Sequence, residues 1–434
     1  MYLSFSDRRG GKDEMPARAS TVFKVSPIII SLGLVSLFTD ISSESVSAIL
    51  PLYITGALGL TMVAYGFLDG INQGISAVVR IGAGWTADRS DHHKLVAFLG
   101  YGLSAVSRVG LLVATGFGAI TSVIAVDRIG KGIRTGPRDA MISDAAQPEH
   151  LARSFGVHRM LDTVGATIGP LLAFVVLLLI PNGYHAVFVA SLACGVIGLA
   201  VLGLMVPGRK QRAAIIAKAS SATTETAVAA AGPQARRLPF RWADLNNIGM
   251  RRLLMVAAIF GLVTIGDGFI YLVLQSRASF ATQWFPLLYV GTNVAYLVLA
   301  IPLGRLADQW GRMRLFIVGH GALLAAYLCA ALPTTGAGAT LACLLLLGIF
   351  YAATDGVLAA LAGQFSTPAS RASGIAAAQT VVALSRLVAS VGFGILWFAL
   401  GRQQAILLAA IVLALAIPCA VLLVRGLKPT QVPL

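Results

Sequence analysis

Charge is scarce in this chain of 434 residues, which is 57% hydrophobic and 12% charged, so charge inside apolar sequence marks chemistry. The stretch from Asp127 to Ala140 reads D-R-I-G-K-G-I-R-T-G-P-R-D-A and carries Asp127, Arg128, Lys131, Arg134, Arg138 and Asp139 between long apolar segments. Ionisable groups at membrane depth are costly and are kept for ion pathways, substrate contacts or partner charges. Asp127 and Lys131 lie four residues apart, as do Arg134 and Arg138, with Lys131 and Arg134 three apart, so one helix face gathers most of this charge. Asp40 and Glu44 share a helix face in another apolar run, and Asp69, Asp162, Asp267 and Asp355 are further acids in apolar surroundings. Burial favours the protonated form of a carboxyl group, and an adjacent arginine favours the ionised form. An acid that alternates between a proton and an arginine therefore couples proton flow to a shape change. Asp40 or Glu44 beside Arg128 is the expected coupling set, with Asp69, Lys131, Arg134, Arg138, Asp267 and Asp355 expected along a substrate cavity.

These residues need helices that cross a bilayer. The mean hydropathy is +0.82, more apolar surface than one soluble core can bury, and a spanning helix needs roughly 20 mainly apolar residues. Continuous rather than alternating apolar runs exclude a barrel. Twelve spans are expected near residues 27–55, 62–86, 95–116, 119–142, 155–180 and 185–207, then 253–275, 283–305, 314–333, 338–362, 373–398 and 404–425. The fourth is too charged for hydropathy alone and is required by the topology. This divides the chain into a tail (1–26), a six-helix bundle (27–207), a linker (208–252), a second six-helix bundle (253–425) and a tail (426–434). Most of the 33 Lys and Arg fall in the termini and alternate loops, while Arg277 and Arg402 fall on the other side. This positive-inside bias puts both termini in the cytoplasm of an inner-membrane protein. It also accounts for the net charge of +15 without nucleic acid. The Ala/Thr/Ser-rich linker carries basic residues and is expected to be flexible or partly helical.

The two halves repeat. G-W-T-A-D-R-S-D-H-H-K from Gly84 to Lys94 matches G-R-L-A-D-Q-W-G-R-M-R from Gly304 to Arg314. Each follows the second span of its half, as in transporters built from two related bundles. Both copies resemble the loop signature of the major facilitator superfamily. The resemblance implies a conformational latch made of Gly84, Asp88, Arg89 and Lys94 in one half and Gly304, Asp308, Arg312 and Arg314 in the other. Arg128 with Gly132 resembles the fourth-span arginine signature of that superfamily, and the longer 127–140 string is similar to a bacterial subgroup of it. Gly165, Gly169 and Pro170, in G-A-T-I-G-P, resemble the fifth-span pattern of its proton-antiporting exporters. The usual small pair after the proline is replaced here by Leu171, Leu172 and Ala173.

The resemblance implies an all-α polytopic fold with twelve helices in two pseudo-symmetric bundles. It also implies a secondary active transporter working by alternating access, exporting a small molecule against protons. The basic excess of the first half favours an anionic substrate. Two other transport readings stay open: a proton symporter importing an anionic nutrient, and a carrier of a metal or metal chelate such as a siderophore. A transport-inactive receptor or scaffold would belong to a different class. The expected partners are the substrate, protons and the bilayer, with a monomer as the working unit and no cofactor. Cys194, Cys329, Cys343 and Cys419 lie in apolar runs without metal spacing, and the six histidines are scattered. No phosphate-cradling loop points to ATP, and no Ser/His/Asp or metal constellation points to an enzyme.

Overall fold

The computed structural model describes residues 26–89, 92–146, 150–208, 247–332, 336–366 and 370–425. The first half contributes α1 (Pro27–Leu52), α2 (Met62–Arg89), α3 (His93–Val113), α4 (Gly116–Ala145), α5 (Leu151–Leu179) and α6 (Tyr184–Met205). The second contributes α7 (Ile248–Val263), α8 (Asp267–Ala278), α9 (Pro286–Trp310), α10 (Arg312–Ala331), α11 (Ala337–Gln364), α12 (Arg371–Leu400) and α13 (Arg402–Val424). With α7 and α8 sharing one passage, these make twelve membrane crossings. Ten helical segments are long and apolar enough to span by composition alone. The other two are α2 and α4, the helices richest in charged residues. They lie side by side, and a Cβ at Gly132 would meet Val79 and the Ser76 carbonyl. Large apolar side chains such as Val113, Leu179 and Leu204 face outward, each more than 70% exposed, as a lipid-facing surface requires.

One local expectation meets a different outcome. The seventh span is not one helix: it breaks at Thr264–Gly266. A break inside hydrocarbon needs internal partners for its freed backbone groups. Tyr327 of α10 supplies them, donating to the Val263 carbonyl at 3.1 Å and accepting from the Ile265 amide at 2.9 Å. Gly266 lets the first bundle approach, since a Cβ there would collide with the Asp69 carboxylate. Pro137 lies buried within α4, which runs unbroken to Ala145.

The bundles meet along α2 and α12, where glycines allow backbone contact. A Cβ at Gly66 would meet the Ser390 carbonyl, one at Gly70 the Leu387 carbonyl, and one at Gly394 the Met62 carbonyl. All three lie in the half of the protein away from the termini. Phe269 packs on Tyr65 of the other bundle at 4.7 Å, and Phe174 on Trp284 at 5.4 Å. The end opposite the termini is therefore sealed. The space between the bundles lies toward the terminal face.

Candidate functional site

That space is a cavity of about 540 Å³. The first bundle lends it Gln73 from α2 and Arg159 from the first turns of α5. The second lends most of the wall, including Tyr296, His320, Thr354, Asp355, Gln379 and Arg386. His320 stacks on Phe260 at 3.7 Å, and its Nδ1 is 2.8 Å from the Phe316 carbonyl. Asp355, expected in the cavity, borders it. Arg386 was not singled out by sequence reasoning, although it is the lone base within the apolar run of α12 and that isolation was a usable signal.

The charged face of α4 forms a different site, inside the first bundle. Asp127 accepts from Arg108 of α3 at 3.0 Å and from Arg128 at 2.7 Å, and all three are buried. Arg108 continues to Ser42 and Ser43 of α1 at 3.3 and 3.1 Å. Arg128, expected beside Asp40 or Glu44, is thus held by its own neighbour Asp127. A buried acid flanked by two guanidiniums is compensated, whereas one arginine left alone would be costly. Arg134 lies 4.5 Å over the Tyr101 ring. Gly100 and Gly130 bring α3 and α4 together, since a Cβ at either would strike the other's carbonyl. Lys131 approaches Glu44 at 4.0 Å, both about one-third exposed.

A second cluster joins α1, α4 and α5. The carboxyl groups of Asp40 and Asp162 are close neighbours across the α1–α5 contact. Asp162 also lies 3.8 Å from Arg138 and 3.5 Å from Arg159, and Arg138 pairs with Asp139 at 2.9 Å. Ser36 bridges Arg138 at 3.3 Å and His158 at 3.0 Å. Asp40 is buried, while the Arg159 side chain is 76% exposed toward the cavity. Gly165 and Gly169 press α5 onto α1: a Cβ at Gly165 would meet the Leu37 carbonyl, and one at Gly169 the Glu44 side chain and the Ile41 carbonyl. Pro170 follows within the same helix.

Asp69 and Asp267 sit at the seam between the bundles. Asp69 accepts from Ser390 of α12 at 2.5 Å, and Gln73 lies one turn along α2. Asp267 opens α8 and accepts from Tyr351 at 2.8 Å, where the helix N-terminus favours negative charge.

The expected latch is only partly placed. Gly84, Asp88 and Arg89 lie on the last turns of α2, with side chains outside the described residues. Lys94 donates to the Gly203 carbonyl at the end of α6, 2.9 Å away. Asp308 pairs with Arg312 across one turn at 2.9 Å. Gly304 faces open space. Arg314 is on the first turn of α10.

Comparison with known proteins agrees with this architecture. Residues 32–294 match the Major Facilitator Superfamily. The chain is 26% identical over 387 residues to an uncharacterised MFS-type transporter of Methanocaldococcus jannaschii, covering 86% of this chain and 89% of that one. It is 32% identical over 153 residues to an uncharacterised protein of Mycobacterium tuberculosis, covering 35% and 37%. Among solved structures, the nucleoside transporter NupG superimposes with a TM-score of 0.74 at 15% identity, covering 92% of this chain and all of that one. A bacterial homologue of the human lysosomal transporter Spinster, inward-facing and occupied, gives 0.71 at 15% identity, covering 92% and 97%. At that identity the two structures speak for the fold alone. Twelve membrane crossings in two related bundles around a cavity, together with the family match over most of the chain, place this protein as a member of the Major Facilitator Superfamily.

Proposed function

We propose that this chain is a secondary transporter that exports a small molecule across the inner membrane in exchange for protons. In this reading the terminal face is cytoplasmic, as the positive-inside bias requires. The cavity then opens inward, ready to receive a cytoplasmic substrate. The observation that carries the proton part is the Asp40–Asp162 contact. Two neighbouring carboxyl groups favour sharing one proton, because two ionised groups there would repel. Losing that proton forces the groups apart and frees Asp162 to pair more closely with Arg138 and Arg159.

The movement has a route to the second bundle. Ala166 lies one turn beyond Asp162 on α5, and its carbonyl accepts from Asn293 of α9 at 3.5 Å. A shift of α5 against α1 therefore reaches the seam. The Asp69–Ser390 hydrogen bond and the α2–α12 glycine contacts close the far end and must part for release. Glu44 with Lys131, and Arg128 with Asp127, flank the proton site; their part is to hold α4 and α1 in register. Asp88, Arg89, Lys94, Asp308, Arg312 and Arg314 would close the near face in the other half of the cycle. No covalent chemistry is needed at any step.

The test is purified full-length protein in proteoliposomes with an internal pH dye, a candidate substrate library and an imposed pH gradient. The expected result is substrate flux accompanied by proton movement in the opposite direction. Substrate flux without proton movement contradicts antiport. Proton movement in the same direction as substrate favours import by symport.

A further inference from the structure

The arginines bordering the cavity differ in one respect. Arg159 has a carboxylate partner, Asp162 at 3.5 Å. Arg386 has none within 4.0 Å among the described residues. Its Nε is buried without a hydrogen-bond partner. Phe350 and Tyr351 flank the guanidinium, with ring centroids 6.0 and 5.9 Å from Cζ. Aromatic faces attract a cation but leave its N–H groups unfilled, and the Tyr351 hydroxyl is already committed to Asp267. Asp267 and Asp355 are the acidic neighbours that compensate the charge from a distance. A permanently charged group is thus kept in a membrane-depth cavity with its donor fork open.

We propose that Arg386 anchors a carboxylate carried by the transported molecule, so that the substrate is a small organic acid. This rests on the reading of the chain as a small-molecule exporter and adds the substrate class. The guanidinium fork matches a planar carboxylate with two parallel hydrogen bonds. Phe260, stacked with His320, and Tyr296 offer apolar faces for the body of the acid, while Gln73 and Gln379 supply neutral hydrogen-bonding groups. A cavity of about 540 Å³ suits an acid of metabolite size. Asp355 at the cavity wall disfavours doubly charged anions, which points to a monocarboxylate rather than a phosphate ester. The anionic preference expected from the basic first half then falls to the second half, because Arg108, Arg128, Lys131 and Arg138 face Asp127, Glu44 and Asp139, and Arg134 is buried against Tyr101.

The experiment is ligand-dependent thermal stabilisation of the full chain in detergent, since a ligand that binds only the folded state raises its melting temperature. The probes are benzoate, phenylacetate, lactate and pyruvate at millimolar concentration, their matched amides, and inorganic phosphate. The expected result is stabilisation by at least one carboxylate, none by its amide and none by phosphate. Arg386→Lys keeps the charge but loses the fork and should weaken binding at least about tenfold; Arg386→Gln should abolish it. The acid-against-amide contrast is read on the unmutated protein, so it stands even if a variant fails to fold. The proposal is overturned if amides stabilise as well as acids, if phosphate alone stabilises, if no carboxylate in the panel stabilises, or if Arg386→Gln binds the carboxylate like the parent. Binding in detergent needs no gradient. Its failure leaves the proton reading intact, and failure of gradient-driven flux leaves the binding result intact.

Discussion

The two bundles share a fold and treat charge in opposite ways. In the first, most bases on α3 and α4 have a nearby acid: Arg108 and Arg128 share Asp127, Arg138 meets Asp139 and Lys131 approaches Glu44, while the buried Arg134 rests on the Tyr101 ring. The second holds a single arginine at cavity depth, without a direct carboxylate partner. A closed network resists an incoming ligand and suits a switch worked by a proton. An open cation suits recognition. On the proposed reading, the first bundle handles the proton and the second anchors the substrate.

The largest stability effect that probes this contrast comes from Asp127→Asn. It strands two buried guanidiniums, and the loss is expected to reach about 3–5 kcal/mol, read as poor yield and a lowered melting temperature in detergent. A variant as stable as the parent would show that the first-bundle network is not closed. Next comes Tyr327→Phe, which removes the hydroxyl that serves both Val263 and Ile265 at the break between α7 and α8. About 1–3 kcal/mol is expected, with faster exchange of the Ile265 amide. Gly169→Val should cost a comparable amount, about 1–3 kcal/mol by overpacking against Ile41 and Glu44, and should slow transport more than substrate binding. The smallest effect is expected of Glu44→Gln. Its contact with Lys131 is long and partly solvated, so a loss below about 1 kcal/mol follows, with gradient-driven flux largely retained. Complete loss of that flux would move the proton site from Asp40 to Glu44.

Much of the architecture was legible in the sequence because bilayer thickness forces helix length and number. Even α4, too charged for hydropathy, was required by the alternation of basic loops. The partners of the charged groups were less legible. Spacing along one helix shows which residues share a face and says nothing of the next helix, so Arg108 was missed as a partner of Asp127, and Arg128 was paired with the α1 acids Asp40 or Glu44 instead of with Asp127. Asp162 was read only as an acid in apolar surroundings, because its contact with Asp40 joins residues on different helices. The break at Thr264–Gly266 was hidden for a related reason. A tyrosine hydroxyl from α10 makes it affordable, and nothing in the local run T-I-G-D-G reports that hydroxyl, although its paired glycines around Asp267 were a hint. Arg386 was visible as an isolated base, but its freedom from acidic partners emerges only from the packing.

The central claim is that the Asp40–Asp162 pair carries the exchanged proton. It is tested most directly by comparing two activities of Asp40→Asn in proteoliposomes: pH-gradient-driven accumulation, and substrate exchange with no gradient. The account predicts that gradient-driven accumulation is lost while exchange persists. Full gradient-driven accumulation by Asp40→Asn would contradict it.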